Sequence, residues 1–220
     1  MKTVDFEAAR RLMVERDLAG RGIRSLPLLE AFRSVPREIF VPENYRDRAY
    51  ADCPLPIGEG QTISQPYMAA LMIEALDLKA SDRVLEVGSG SGYVVALLAR
   101  LVSRVYGIER HPSLASESAV RLERLGVSNA EIRAGDGTRG WPEAAPFQAI
   151  LVSAATGRPP RALLEELDEG GRLAVPVGTP ELQELQLLRR TAGRIRTEHL
   201  GGCRFVPLIG ENGWEPESNI

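Results

Sequence analysis

The chain has 220 residues and a mass of 24.1 kDa, which suits one α/β domain with a small appendage. Apolar residues make up 44% and charged residues 26%, a balance that excludes a wholly disordered, collagen-like or disulfide-rich chain. The formal net charge of −3 lacks the overall basic surplus that is usual in nucleic-acid-binding proteins.

The first 80 residues predict helices joined by a proline-rich segment. Residues 4–19 carry apolar side chains at helical spacing, and residues 26–32 form a second, shorter helix. Prolines recur between residues 35 and 66, which excludes a long helix or an inner strand there. An irregular segment of this length inside a compact protein is usually functional. Pro66 then suits the first turn of a helix over residues 67–76.

The next part of the chain alternates strands and helices. Strands are predicted at residues 83–87, 104–108, 131–134, 147–152 and 172–175, and helices at residues 93–101, 113–125 and 161–167. This alternation predicts a doubly wound, mostly parallel sheet covered on both faces. After Gly178, strands at residues 185–190, 195–200 and 204–208 follow without helices, which predicts an antiparallel C-terminal edge.

The predicted organisation is therefore an α/β chain in three parts. Residues 1–80 form an N-terminal helical appendage that carries an active-site loop, residues 81–210 form the ligand-binding core, and residues 211–220 form a loose tail. Cys53 and Cys203 make neither a metal pattern nor a disulfide framework, so we expect two free thiols in a reducing cytosol. No signal core or membrane span is visible. We expect a cytoplasmic monomer that binds neither nucleic acid nor membrane.

Residues 84–92, Val-Leu-Glu-Val-Gly-Ser-Gly-Ser-Gly, predict a strand that enters a glycine-rich turn. A dinucleotide fingerprint requires a glycine where Tyr93 stands, and the lysine of a phosphate-binding loop is missing. Glu86 followed by Gly-x-Gly-x-Gly resembles the first motif of S-adenosylmethionine-dependent methyltransferases. A plain strand–helix connection stays open as the alternative. Glu109 and Asp136 end the next two strands, so they are expected at the same sheet edge, where they suit a ribose and an adenine amino group.

The residues available favour a carboxylate as the methyl acceptor. A hydroxyl acceptor would need a general base or a metal, and neither His111 nor His199 is placed for that task. A carboxylate is already ionised at pH 7, because its pKa is roughly 4. It needs only correct placement and the exclusion of water.

A longer segment makes the resemblance more specific. Residues 54–68, Pro-Leu-Pro-Ile-Gly-Glu-Gly-Gln-Thr-Ile-Ser-Gln-Pro-Tyr-Met, resemble the segment that marks protein-L-isoaspartate (D-aspartate) O-methyltransferases. Further matches lie at residues 35–38, 40–42, 84–93, 135–137, 140–142, 145–147, 170–173, 175–178 and 204–208, so the resemblance covers about residues 10–210. It implies methylation of the α-carboxyl of L-isoaspartyl residues in damaged proteins and peptides. The implied cofactor is S-adenosyl-L-methionine, with S-adenosyl-L-homocysteine as product.

The resemblance also implies individual roles. Ser64 matches the active-site serine, whose hydroxyl orients the acceptor carboxylate, and it could also cap the helix that follows. The implied cofactor-binding residues are Gln61, Thr62, Ile63, Ser64, Met68, Glu86, Gly88, Ser89, Gly90, Glu109, Arg110, Asp136 and Gly137. The implied substrate-binding residues are Ser64, Ser153, Ala154, Ala155 and Val206, where backbone groups could pair with an extended peptide. No metal is implied.

Three other functions remain open at this point. Residues 156–160, Thr-Gly-Arg-Pro-Pro, depart from the family pattern, which would suit a relative that methylates ordinary aspartate in one dedicated peptide. A cofactor-binding protein without catalysis is a second alternative, and the intact segment around Ser64 argues against it. A nicotinamide oxidoreductase is the third, and it is disfavoured by Gly92 in place of a glycine at position 93.

Overall fold

A computed structural model describes residues 4–215 and has the predicted α/β architecture. The α-helices are α1 (Phe6–Leu12), α2 (Leu26–Ser34), α3 (Pro66–Ala75), α4 (Tyr93–Leu98), α5 (Pro112–Arg124) and α6 (Arg161–Glu165). The strands are β1 (Leu55–Gly58), β2 (Gln61–Ile63), β3 (Arg83–Val87), β4 (Arg104–Glu109), β5 (Ala130–Ala134), β6 (Phe147–Val152), β7 (Leu167–Gly178), β8 (Gln183–Thr191) and β9 (Arg194–Cys203).

The N-terminal region is helical, as the periodicity predicts. Asp5 begins α1 by accepting a hydrogen bond from the Ala8 N–H at 3.0 Å, and the helix continues as π-helix Met13–Leu18 and 3₁₀ turn Ala19–Arg21. Short 3₁₀ turns and the β1–β2 hairpin occupy the proline-rich segment. The hairpin brings residues 61–64 to the start of α3, which Pro66 opens.

The main sheet has seven strands in the order β5-β4-β3-β6-β7-β8-β9. The first five strands in this order run parallel, and β8 and β9 add antiparallel pairs at one side. The chain moves outward from β3 through β4 to β5 and then returns to place β6 on the other side of β3. Ligands in doubly wound sheets bind at such a reversal, beyond the carboxyl ends of the strands. A ligand site is therefore expected at the loops after β3 and β6.

Apolar layers cover both faces of the sheet. Val84 points into the layer formed with the N-terminal helices and α4, whereas Leu85 and Val87 point into a second layer. Phe147 and Leu163 also belong to that second layer. This two-sided burial explains why Val84, Leu85 and Val87 are all apolar although they face opposite sides of the sheet.

Several predicted bounds differ from the structure, and the largest differences lie in the C-terminal half of the chain. The helix predicted over residues 161–167 ends at Glu165, because Leu167 already pairs with Phe147 at the start of β7. The strand predicted at residues 172–175 is only the middle of that long strand. The strand predicted at residues 204–208 is wrong. This segment leaves β9 and crosses the carboxyl edge of the sheet, where its only paired residue is Pro207, in an isolated bridge with Ala155.

The end of the described chain packs against the core. Residues 211–215, which the sequence assigned to a loose tail, follow this crossing segment, and Trp214 donates its backbone N–H to the Leu208 carbonyl at 2.8 Å. Residues 216–220 of that tail lie outside the described part of the chain. We call residues 204–215 the C-terminal strap. Over residues 4–215, no helix has the length and apolar character needed to cross a bilayer.

Candidate active site

Two neighbouring cavities open at the carboxyl edge of the sheet. The smaller one, about 60 Å³, lies over the ends of β3 and β4, and the larger cleft, about 690 Å³, lies between the β1–β2 hairpin, the end of β9 and the C-terminal strap. Their walls share five residues, which are Thr62, Ser153, Val206, Pro207 and Ile209. A group bound in one cavity would therefore lie beside a group bound in the other.

The glycine turn after β3 is fixed by the next strand. The backbone N–H groups of Gly88 and Ser89 donate to the Ile108 carbonyl at 2.8 and 3.1 Å. Gly88 and Gly90 have φ angles of 80° and 51°, which favour glycine. A Cβ on Gly90 would lie 3.1 Å from the Ile57 side chain, so the hairpin also limits the space at this turn.

Glu109 closes the smaller cavity at the end of β4. Its Oε2 accepts the Gly90 N–H at 2.8 Å, and its Oε1 accepts the His111 N–H at 2.9 Å. Each carboxylate oxygen can accept a second hydrogen bond, so two hydroxyl groups of a ligand could still bind here. The buried carboxylate is thus oriented by the backbone before any ligand arrives.

Glu86 lies beneath the same turn and is only 1% exposed. The Ser153 hydroxyl donates to its Oε1 at 2.8 Å, which joins the loop after β6 to the end of β3. Burial raises the pKa of Glu86 to about 8, and the nearby Glu109 adds to this, while the bonds from Ser153 and Val95 oppose it. Glu86 is therefore largely protonated at neutral pH.

Ser64 stands between the hairpin and α3, on the wall of the larger cleft. The guanidinium of Arg37, which is 0% exposed, donates to the Ser64 carbonyl at 2.7 Å and to the Ala49 carbonyl at 2.8 Å. Burial lowers the pKa of Arg37. The N-terminal appendage therefore fixes the backbone that carries the Ser64 hydroxyl.

The start of α3 is capped by Asp52 rather than by Ser64. Asp52 Oδ1 accepts the Tyr67 N–H at 3.0 Å, and Oδ2 accepts the Gln65 side-chain amide at 2.7 Å. Arg21 pairs with the same carboxylate at 2.6 Å. The capping role that the sequence left open for Ser64 thus belongs to Asp52, and the Ser64 hydroxyl is left available to the cleft.

Asp136 directs its carboxylate at the C-terminal strap. Its Oδ1 accepts the backbone N–H and the hydroxyl of Thr138 at 2.9 and 2.7 Å, and its Oδ2 accepts the Glu211 N–H at 2.8 Å. Partial burial raises the pKa of Asp136, but the bonds from Glu211 and Thr138 outweigh it and leave the pKa below its usual value. An ionised Asp136 therefore holds the strap against the end of β5.

The sequence-predicted site residues fall into three groups. Those on the smaller cavity are Gln61, Thr62, Gly88, Gly90, Glu109, Arg110, Gly137, Ser153, Ala154 and Val206. Those on the larger cleft are Thr62, Ser64, Met68, Ser153 and Val206. Neither wall includes Ile63, Glu86, Ser89, Asp136 or Ala155.

Sequence reasoning missed much of the larger cleft. Trp214 and Phe205 form part of its wall, together with Pro54 and Pro180 and the amide of Gln183. Trp214 lay in a tail that polarity suggested was loose, and Pro180 lies in a β7–β8 connection that carries no motif. His111, which the sequence could not connect to a reaction, lines the smaller cavity.

The residues of the smaller cavity fit S-adenosylmethionine. The glycine turn brings backbone close to the opening, and the Glu109 carboxylate is already oriented to accept hydrogen bonds. The apolar side chains of Val87, Ile108 and Leu208 form walls that suit a flat base. The cavity alone, at about 60 Å³, is smaller than the ~300 Å³ of typical ligand pockets, and it adjoins the larger cleft of about 690 Å³. Within residues 4–215, His, Cys, Asp and Glu side chains form no cluster of three suited to a metal ion.

Comparisons with known proteins agree with this geometry. The family model described as Protein-L-isoaspartate(D-aspartate) O-methyltransferase (PCMT) matches residues 9–213. A Protein-L-isoaspartate O-methyltransferase 1 from Syntrophobacter fumaroxidans is 50% identical over 212 residues, covering 96% of this chain and 99% of the relative. One from Roseiflexus sp. is 52% identical over 214 residues, covering 97% and 98%.

Two solved structures are also similar. A protein-L-isoaspartate O-methyltransferase superposes with a TM-score of 0.85 at 29% identity, covering 93% of this chain and 67% of that one. A beta-aspartate methyltransferase (PCMT) from Plasmodium falciparum in complex with S-adenosyl-L-homocysteine gives a TM-score of 0.80 at 28% identity, covering 94% and 99%. The fold class predicted from the sequence is thereby confirmed.

Proposed function

Because this chain belongs to the protein-L-isoaspartate(D-aspartate) O-methyltransferase family, we propose that it methylates the α-carboxyl of L-isoaspartyl residues in damaged proteins and peptides. S-adenosyl-L-methionine is the methyl donor and S-adenosyl-L-homocysteine the product. The observation that carries the proposal is the shared wall of the two cavities. A cleft of about 690 Å³ with Ser64 on its wall thus lies next to the acidic and glycine-rich cavity.

The residues of the smaller cavity hold the donor. The free lone pairs of Glu109 would accept hydrogen bonds from the two ribose hydroxyls, and Val87, Ile108 and Leu208 would enclose the base. When bound, the donor supplies an electrophilic methyl on a cationic sulfur, whose neutral thioether leaves without a general acid.

The residues of the larger cleft act on the acceptor. The Ser64 hydroxyl donates a hydrogen bond to one oxygen of the isoaspartyl α-carboxylate, which leaves the other oxygen free to attack. That oxygen would form the bond to the transferred methyl, while the electron pair of the broken C–S bond would stay on sulfur. No base is needed, because the acceptor is ionised at pH 7.

Methyl transfer from labelled donor tests the proposal with two peptides of one sequence, one isoaspartyl and the other aspartyl. We expect labelling of the isoaspartyl peptide alone. Equal labelling of both peptides would instead favour a methyltransferase for ordinary aspartate. Cofactor binding by calorimetry without turnover on any peptide would identify a binding protein that lacks catalysis.

Ser64→Ala tests the assigned role of the hydroxyl. A hydrogen bond to a charged group contributes about 1.5–3 kcal/mol, so kcat/KM for the peptide should fall roughly 10- to 100-fold. The dissociation constant of the cofactor, measured by calorimetry, should change less than about twofold. Ser34→Ala is the matched control, because that hydroxyl is exposed and bonds only within α2, to the Ala31 carbonyl. Unchanged turnover in Ser64→Ala would remove Ser64 from the reaction.

We also propose a monomeric enzyme of the cytoplasm. Cys53 and Cys203 are free thiols, which suits a reducing compartment. The large exposed apolar side chains, among them Leu12, Leu26 and Leu182, come from separate parts of the chain. Light scattering coupled to size exclusion measures the mass, and a value near twice 24.1 kDa would contradict the monomer.

A further inference from the structure

The C-terminal strap is anchored by a buried hydroxyl that belongs to neither cavity. Thr138 is 0% exposed, and its Oγ1 donates to Asp136 Oδ1 at 2.7 Å while it accepts the Asn212 N–H at 3.0 Å. Asp136 accepts the neighbouring Glu211 N–H through its other oxygen. Two successive backbone groups of the strap are thus held by one pair of side chains.

The strap approaches this pair too closely for a side chain to intervene. A Cβ on Gly210 would lie 2.0 Å from Asp136 Oδ1, and a Cβ on Gly213 would lie 2.2 Å from the Leu208 carbonyl oxygen. The turn also closes on itself, because the Trp214 N–H donates to that same carbonyl. The fit of backbone to carboxylate is therefore specific, and it fixes where the strap lies.

The anchored segment shapes the cleft. Val206, Pro207 and Ile209 stand in the wall that separates the two cavities, and Trp214 lines the larger cleft beyond the turn. The other side of the strap is tied to the loop after β6, where the Ala155 N–H donates to the Val206 carbonyl and the Ala155 carbonyl accepts the Leu208 N–H. If the strap detaches at Thr138, Ile209 and Trp214 lose their fixed places.

We infer that Thr138, acting with Asp136, is a positioning residue for the peptide substrate: it holds the strap in the conformation that forms the cleft. The inference rests on the proposed function for the identity of the peptide. A weaker anchor lowers the fraction of molecules with a formed cleft, and the apparent affinity for a ligand falls with that fraction. At saturating peptide the cleft is formed in every molecule, so turnover is retained.

Thr138→Val tests this, because valine keeps the shape but loses the hydroxyl. The Asn212 N–H then lacks its acceptor, so we expect the KM and equilibrium dissociation constant of an isoaspartyl peptide to rise about three- to tenfold. The kcat should stay within about twofold. Thr138→Ser, which retains the hydroxyl, should restore the peptide affinity. Ser118→Ala is the control: it removes a fully buried hydroxyl elsewhere, on α5, and should leave the peptide affinity unchanged.

Amide hydrogen exchange supplies a readout that needs no activity. In Thr138→Val, exchange of residues 210–214 should accelerate, and Thr138→Ser should return it to the wild-type rate. Unchanged exchange would refute the anchor, and faster exchange with unchanged peptide affinity would refute the link to substrate. If the wild type methylates no isoaspartyl peptide, the proposed function fails, while the exchange measurement still decides whether Thr138 holds the strap.

Discussion

Replacing Glu86 with glutamine should change how the stability of the protein depends on pH. The carboxyl is fully buried under the glycine turn, and burial raises its pKa from 4.5 to about 8. The protonated form is therefore favoured in the folded protein, whereas the unfolded chain ionises near pH 4.5. Between these two values the folded state binds more protons than the unfolded state, so wild-type stability falls as pH rises.

The size of the effect follows from the two pKa values. Each pKa unit corresponds to about 1.36 kcal/mol, so the change from 4.5 to about 8 amounts to about 5 kcal/mol once both states are ionised. Between pH 5.5 and 8.5 the integrated difference is about 3 kcal/mol. Glutamine does not ionise, and its carbonyl can still accept the hydrogen bond from Ser153.

Urea unfolding of both proteins without cofactor, at pH 5.5 and 8.5, measures this difference. The stability of Glu86→Gln relative to wild type should increase by about 3 kcal/mol across that range. Glu123→Gln, an exposed carboxylate on α5, is the control and should change by less than about 0.5 kcal/mol. If the stability of Glu86→Gln relative to wild type stays constant or decreases from pH 5.5 to 8.5, the buried Glu86 is not protonated in the folded protein.

Two further substitutions test how the core supports the site. Asp52→Ala removes the acceptor of the Tyr67 N–H and of the Gln65 amide, so the free energy of unfolding in urea should fall by about 1–3 kcal/mol, and by less in Asp52→Asn. Arg172→Met leaves the buried Asp82 carboxylate without its ion-pair partner at 2.8 Å, and a loss of about 3–5 kcal/mol is expected by the same method. Adding Asp82→Asn should recover part of that loss, and no recovery would contradict the pairing.

Local patterns in the sequence were sufficient for most of the sheet. The bounds of β3 and β6 agree with the prediction because both strands are short apolar runs between clear turn residues. The change from helix to strand at Leu167 was harder to predict from the sequence, because Gly170 and Gly171 are typical of a turn but lie within β7. The strap was misassigned because Arg-Phe-Val-Pro-Leu alternates like a strand. Its actual path is set by partners far away in the chain.

The candidate site also contains some residues whose position the sequence predicts and others whose role depends on distant parts of the chain. The glycine turn and Glu109 could be placed from spacing alone, because parallel strands end at one edge. The role of Arg37 behind Ser64 depends on a contact across 27 positions, and the role of Thr138 under Asn212 on one across 74. Arg37 lies in a segment that resembles the family, but spacing alone gives neither residue its role. Such tertiary hydrogen bonds become visible only when the folded chain brings the segments together.

The outer strand β9 has a consequence for the behaviour of this enzyme at high concentration. A terminal strand offers a row of backbone groups to which strands of other molecules could add, and this is a route to aggregation. Arg194, Arg196 and Glu198 are exposed along β9, so an approaching copy would have to desolvate charges before it could pair. The charges along β9 therefore oppose the edge-to-edge association of enzyme molecules into fibrils.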